Sequence, residues 1–247
     1  MPRIVTYNVH RCVGNDRKLD VARIADVLAR LEPDIVALQE LDVGRARTGG
    51  VDQAHEIADQ LNMVSHFHAA LKVEEELYGD AILTALPERL IQVGPLPGHP
   101  LTTALEPRGA LWIEADVGEQ RLQVINTHLG LVPREQQMQA EVLAGPSWLG
   151  HARCVGPKIL LGDFNATGTS IVYRTLSARL EPARRLSPKR SPTATFPSQL
   201  PVLRIDHLFV SPEIRVVDVF APYDLLTRVA SDHLPLVMDF EVGPPRP

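Results

Sequence analysis

Short apolar runs that end in polar residues narrow the folds open to this chain more than any other feature. Runs at 3–9, 34–39, 64–72, 80–85, 89–93, 109–117, 121–127, 158–163, 203–210, 214–220 and 234–241 are rich in Val, Ile, Leu and Phe, and Gly, Pro, Asp or Asn bound them. Such lengths and borders predict β-strands. Segments 109–117 and 121–127 flank Gly118-Glu119-Gln120, which predicts a β-hairpin. Helical periodicity covers 20–31, 52–61, 134–144 and roughly 169–178. In the first, Val21, Ile24, Val27, Leu28 and Leu31 recur at three and four residues and make one apolar stripe. Asp20 stands where an N-cap would, Pro33 ends the pattern, and Pro133 sits where the third helix can begin. Hairpins mixed with strand–helix–strand units predict mixed sheets with helices outside.

The 247 residues fit one large α/β domain, with 45% apolar and 22% charged residues and no repeat or linker to divide them. Residues 181–202 hold five prolines together with Arg184, Arg185, Lys189 and Arg190, and read as one long surface loop. The tail 243–247, Gly-Pro-Pro-Arg-Pro, is expected to fray.

Thirty acidic against 25 basic residues give a formal charge of −5, a balance unlike that of a protein built mainly to grip a polyanion. Two cysteines, Cys12 and Cys154, do not make a disulfide framework. No apolar stretch approaches the length of a membrane span, and a strand pattern already under way at residue 3 leaves no room for a signal peptide. A cytoplasmic enzyme without a stable protein partner is the expectation.

The polar strand ends are Asn8, Glu40, His128, Asp163 with Asn165, Asp206, and Asp232 with His233. Loops held by a rigid scaffold are a common place for a site. Together these residues supply what hydrolysis of a phosphodiester needs. The substrate is an anion with a poor leaving group, and a hard Mg²⁺ or Mn²⁺ ion on oxygen ligands answers both problems. Glu40 and Asp232 are suitable anionic ligands and Asn8 a neutral one. His233, with Asp206 to orient it, suits a water-activating base. Asp163 and Asn165 can sit across the phosphorus, and His128 can donate to the phosphoryl oxygen that gains charge.

In their order along the chain these motifs resemble the endonuclease/exonuclease/phosphatase superfamily. The resemblance runs from Thr6-Tyr7-Asn8 through Leu38-Gln39-Glu40, Tyr78-Gly79-Asp80-Ala81-Ile82-Leu83, Gly162-Asp163-Phe164-Asn165 and Arg204-Ile205-Asp206-His207 to Ser231-Asp232-His233-Leu234-Pro235. It implies a four-layered α/β/β/α sandwich of two mixed sheets, with the site at one end. It also implies metal ligation by Asn8, Glu40 and Asp232, a base His233 supported by Asp206, a second histidine His128, and Asp163 and Asn165 orienting water or phosphate. By the same analogy Arg108 is a phosphate contact, and Glu76 lies where a carboxylate would support the second histidine.

The substrate is less legible. Members of this superfamily act on DNA, RNA, sphingolipids, inositol phosphates and nucleotide derivatives, so the fold does not choose. Arg184, Arg185, Lys189, Arg190, Arg17, Lys18, Arg45 and Arg47 favour a nuclease, whereas the net charge and the 5% aromatic content do not. A phosphodiesterase or phosphatase on small or lipid phosphoesters is the alternative, although Leu200-Pro201-Val202-Leu203 reads as the entry to a strand rather than a lipid-facing loop. A non-catalytic binding protein of the same fold is the third reading. His10 and Arg11, next to Asn8, are placed to line the mouth of a cleft. The other histidines show no zinc-like spacing.

Overall fold

Strands whose two faces are both apolar must be covered on both sides, and that requirement shapes the fold. The structure, a computed structural model, describes residues 1–101 and 105–246. Along the chain run β1 (Arg3–Asn8), β2 (Ile35–Val43), β3 (Val64–Val73), β4 (Glu76–Thr84), β5 (Glu88–Pro95) and β6 (Gly109–Val117). They are followed by β7 (Gln120–His128), β8 (Lys158–Asp163), β9 (Glu181–Pro182), β10 (Asp206–Val210), β11 (Ile214–Phe220) and β12 (Leu236–Val242). One six-stranded sheet has the order β11-β12-β1-β2-β4-β3 and the other β5-β6-β7-β8-β10-β9. Within each sheet one neighbouring pair is parallel, β1 with β2 and β7 with β8.

Alternation along each strand sorts residues between layers. Ile4, Ile35, Ala37 and Ile82 of the first sheet meet Leu111, Ile113, Val124, Ile159 and Leu161 of the second in a central core. The opposite face of the first sheet, with Val5, Val36 and Leu38, packs on α1 (Val21–Leu31) and α2 (Gln53–Leu61). The outer face of the second, with Trp112, Ile125, Leu160 and Phe209, packs on α3 (Pro133–Ala144) and α4 (Ile171–Ser177). This is the four-layered α/β/β/α sandwich. Asp20 caps α1 by accepting from the Arg23 N–H, and Pro133 opens α3. The β6–β7 turn is one residue shorter than expected: Val117 pairs with Gln120, and Gly118 takes φ 62°. No helix among the described residues is long and apolar enough to cross a membrane.

Three segments depart from the sequence reading. Residues 181–202 are not one free loop: β9, α5 (Ala183–Leu186) and the buried Thr193, Thr195 and Ser198 belong to the body of the protein. Main-chain bonds draw the segment in, with Thr195 and Phe196 N–H reaching Leu203 O and Leu234 N–H reaching Thr195 O. Consequently β10 starts only at Asp206, and Leu200, Val202 and Leu203 stay exposed before it. A sixth helix, α6 (Leu225–Ala230), is too short to show periodicity; its signal is the reciprocal capping of Asp224 and Thr227. The tail expected to fray carries hydrogen bonds from Gly243 N–H to Glu213 O and from Arg246 N–H to Pro212 O, and Pro247 lies outside the described residues.

The sheet registers assemble one rim. His128, the last residue of β7, pairs with Asp163, the last of β8, and Asp206, the first of β10, pairs with the same Asp163 from the other side. Gly162 permits this approach. At φ 142° a Cβ on it would collide with the Thr127 carbonyl. Gly162→Ala should therefore cost about 3 kcal/mol, the upper end for overpacking. Gly98→Ala, with nothing within 4 Å of its Cβ, should stay within about 0.5 kcal/mol of wild type. Parallel urea melts check the pair, and equal midpoints would refute the packing argument.

Candidate functional site

At this rim Asp163 is the centre of a buried polar cluster. Its Oδ1 accepts from Asn165 N–H at 2.8 Å, and its Oδ2 accepts from Asn8 Nδ2 at 3.0 Å. The Nε2 atoms of His128 and His233 both lie 3.6 Å from Oδ2. His233 Nδ1 faces Asp206 Oδ2 at 2.9 Å, and the Thr195 hydroxyl donates to the same oxygen at 2.5 Å. His128 Nδ1 faces Arg108 Nη1 at 3.0 Å, and Nε2 faces Asn165 Nδ2 at 3.1 Å. Asp163, Asp206, His128, His233 and Asn8 are all buried.

Beside the cluster opens a cleft of ≈ 310 Å³ lined by Glu40, Asp232, Arg108, Tyr78, His10 and Arg11, among others. A β-bulge between Leu38 and Leu41 puts Glu40 at φ 62°. His10, Arg11 and Cys12 have φ of 46°, 56° and 57°, and Asn165 has 48°. Left-handed backbone costs a non-glycine residue of order 1 kcal/mol or more, and it clusters where side chains must be re-aimed.

Burial and neighbouring charge set the protonation pattern. Burial, with Asp206 nearby, pushes Asp163 up to about 7 against the opposing pull of His233 and its hydrogen bonds. Burial alone would lower His233, but Asp206 and Asp163 outweigh it and raise the imidazole to about 10. Burial, then the charge of Arg108, then that of His233 hold His128 well below the ordinary histidine range, so its ring is neutral. Beneath the cleft, burial lifts Asp80 to about 8.

The residues singled out from the sequence fall as follows. Asp163, Asn165, Asp206, His128 and His233 form the cluster, and Glu40 and Asp232 face the adjoining cleft. Neither Glu40 nor Asp232 pairs with a lysine or arginine among the described residues, and the His10 ring lies 3.9 Å from Asp232. Two unneutralised carboxylates at one cleft make a hard oxygen donor set of the kind that suits Mg²⁺ or Mn²⁺. Asn8 differs from expectation: its oxygen accepts from His10 N–H, and its NH₂ group faces Glu40 at 3.0 Å as well as Asp163. In this orientation it holds two carboxylates apart rather than offering oxygen to the cleft. Arg108 lines the cleft, yet its Nη1 is taken by Glu106 at 2.7 Å and by His128. Glu76 does not reach His128. It accepts from Ala46 N–H and pairs with Arg45, so an arginine stands where a carboxylate was expected. His10 and Arg11 do line the cleft.

The sequence reading missed Thr195, which donates to Asp206, and Ser198, whose hydroxyl and N–H donate to Ser231 O and Asp232 O and tie down the same segment. Their signal was a pair of hydroxyl residues in a proline-rich stretch, which resembles any solvated loop.

The Endonuclease/Exonuclease/phosphatase family profile matches residues 5–233. Protein YbhP of Escherichia coli (strain K12) is 26% identical over 95% of this chain and 94% of its own length. Among solved structures, an endonuclease/exonuclease/phosphatase from Beutenbergia cavernae superposes with a TM-score of 0.78 at 24% identity, over 98% of this chain and 72% of that one. A mannosyl-6-phosphatase from Bacteroides thetaiotaomicron gives 0.69 at 19% identity, over 98% and 100%. With a match spanning β1 to His233, and the same two-sheet sandwich in these structures, the chain belongs to the endonuclease/exonuclease/phosphatase family.

Proposed function

We infer that this protein is a divalent-metal-dependent hydrolase of phosphoesters, with its reacting centre at Asp163. The observation that carries the reading is the position of Asp163 Oδ2, 3.6 Å from two histidine Nε2 atoms and next to a cleft with two carboxylates that pair with no lysine or arginine among the described residues. Glu40 and Asp232 would hold Mg²⁺ or Mn²⁺, which supplies charge neutralisation to an anionic substrate. The protein's own groups do the rest. His233, kept protonated by Asp206 and Asp163, gives its Nδ1 hydrogen to Asp206 and directs Nε2 at Asp163; a water beside this pair is oriented for attack on phosphorus and passes its proton to the Asp163 carboxylate.

His128 works on the other side of the phosphoryl group. Arg108 can only donate, so His128 Nδ1 must accept, and in a neutral ring Nε2 then carries the hydrogen. Asn165 Nδ2 also points a donor at Nε2 while giving its other hydrogen to Leu129 O. Two donors that face each other leave each other unsatisfied, and a phosphoryl oxygen placed to one side, within reach of both, accepts from both. Arg108 thereby positions the donor through His128 rather than acting as a primary phosphate contact.

Nuclease action is weakened by how two of the four early-loop cations are spent. Arg47 makes a two-point bond with buried Asp42, and Arg45 pairs with Glu76. Small phosphoesters are the better-supported substrates.

A panel of single- and double-stranded DNA, abasic DNA, RNA, bis-p-nitrophenyl phosphate, inositol phosphates and sphingomyelin, assayed with added Mg²⁺ or Mn²⁺, tests the reading. Asp163→Ala and His233→Ala should each lower turnover by about a hundredfold or more; retention of activity in both would remove the assignment. Chelation should silence the enzyme, and Glu40→Ala should raise the metal concentration needed for half-maximal rate. Wild-type behaviour of Glu40→Ala at limiting metal would exclude it as a ligand. Arg108→Gln should lower kcat by about tenfold or more with little change in KM. In ¹⁵N spectra of the wild-type protein the His128 Nε2 should appear protonated. A signal protonated at Nδ1 would overturn the role given to Arg108.

A further inference from the structure

One part of the molecule is rich in positive charge that the site described above does not use. Arg184, Arg185 and Arg204 are exposed and, among the described residues, none makes an ion pair. All three line an open cavity of ≈ 390 Å³ together with Thr167, Thr169 and Tyr173. Their heads are held in different ways. Arg184 Nε donates to Thr193 at 2.8 Å, which leaves its two terminal nitrogens free, and Arg185 lies 5.2 Å over the Tyr173 ring. Burial raises the Tyr173 phenol, and Arg185, Arg184 and Arg204 each oppose that rise, so the three charges converge on one group.

This cavity adjoins the candidate centre. A smaller space of ≈ 70 Å³, lined by Tyr173, Arg184 and Arg204 among others, has Asp206 in its wall. Thr167 and Arg204 follow and precede Asn165 and Asp206 by two residues each, a chain distance of at most about 7 Å. Arginine presents planar donors matched to phosphate, and clustered arginines left unpaired repel one another until an anion joins them.

We propose that Arg184, Arg185 and Arg204 form a second anion site that binds a phosphate group which the reaction leaves intact. The substrate is then a small molecule carrying at least two phosphate groups, one over Asp163 and one in this cavity. The proposal rests on the phosphoesterase reading for its substrate, though not for the anion site itself. A long nucleic acid fits less well, because Arg45 and Arg47, which would extend the basic surface, are already paired.

Calorimetry with inorganic pyrophosphate, on chelator-treated protein, tests the site without any catalysis. Wild type should bind saturably, Arg184→Gln/Arg204→Gln should bind about tenfold or more weakly, and Asp163→Asn should match wild type. Equal binding by the double variant, or no saturable binding by wild type, overturns the proposal. If the double variant melts early, Arg185→Gln, at an exposed position of α5, replaces it and should weaken binding measurably. A kinetic arm separates the two readings. The double variant should raise KM for a bisphosphorylated substrate several-fold while leaving kcat on bis-p-nitrophenyl phosphate unchanged. Intact pyrophosphate binding with no hydrolysis anywhere in the substrate panel would sink the phosphoesterase reading and keep the anion site. Loss of oligonucleotide affinity without loss of pyrophosphate affinity would reject the small substrate in favour of nucleic acid.

Discussion

A carboxylate taken out of water is costly unless donors surround it, and Asp163 is buried where the two sheets meet. Its donors come from different layers, Asn8 from the end of β1 in one sheet and Asn165 from the turn after β8, while histidines from β7 and from the loop before β12 stand 3.6 Å away. Each of these elements must therefore be in register before the charge is tolerated. A second polar link works alongside it. Gln39 donates to Asn126 across the sheets at 2.8 Å, and Asn126 returns two hydrogen bonds to Leu38 O and Ala81 O. Slippage of one sheet against the other would leave all of these groups unpaired, so the central apolar core is kept in one alignment by its polar end.

The same constraint accounts for the backbone irregularities. Two parallel strand pairs bring the ends of β1 and β8 to a single rim, but a regular strand points alternate side chains into the layers above and below. Glu40 lies within β2, and only the bulge there turns its carboxylate into the cleft. Left-handed residues at His10, Arg11, Cys12 and Asn165 serve the same redirection just past the ends of β1 and β8. The strain is local, and the packed layers on either side are large enough to hold it.

Much of this was legible in the sequence because the site coincides with strand ends. Asp163, His128 and Asp206 are adjacent in register, so finding three strands with polar ends was nearly enough to find the cluster. What stayed hidden depended on partners chosen in three dimensions. That Asn8 turns its NH₂ toward two carboxylates, that Glu76 spends its charge on Arg45, and that Arg108 rather than an acid sits behind His128 are matters of side-chain orientation, and no strand pattern encodes them. Residues 181–202 were hidden for another reason. Their order comes from main-chain bonds to Leu203 and Leu234, which leave no hydrophobic period to read.

That last segment has a role beyond its own folding. Thr195 fixes Asp206, Ser198 fastens the chain to Asp232, and α5 delivers Arg184 and Arg185 to the neighbouring cavity. One stretch thus holds the partner of His233 in place and presents cations to whatever lies beside it. On the proposed phosphoesterase reading the sheet ends would supply groups that any phosphoester needs, since every such substrate has a phosphorus to attack and an oxygen that gains charge. Discrimination among substrates must come from parts that touch the rest of the molecule. On the proposed reading those parts include the least periodic segment, whose exposed arginines can change sequence while β9, Thr195 and Ser198 keep it joined to the sheets.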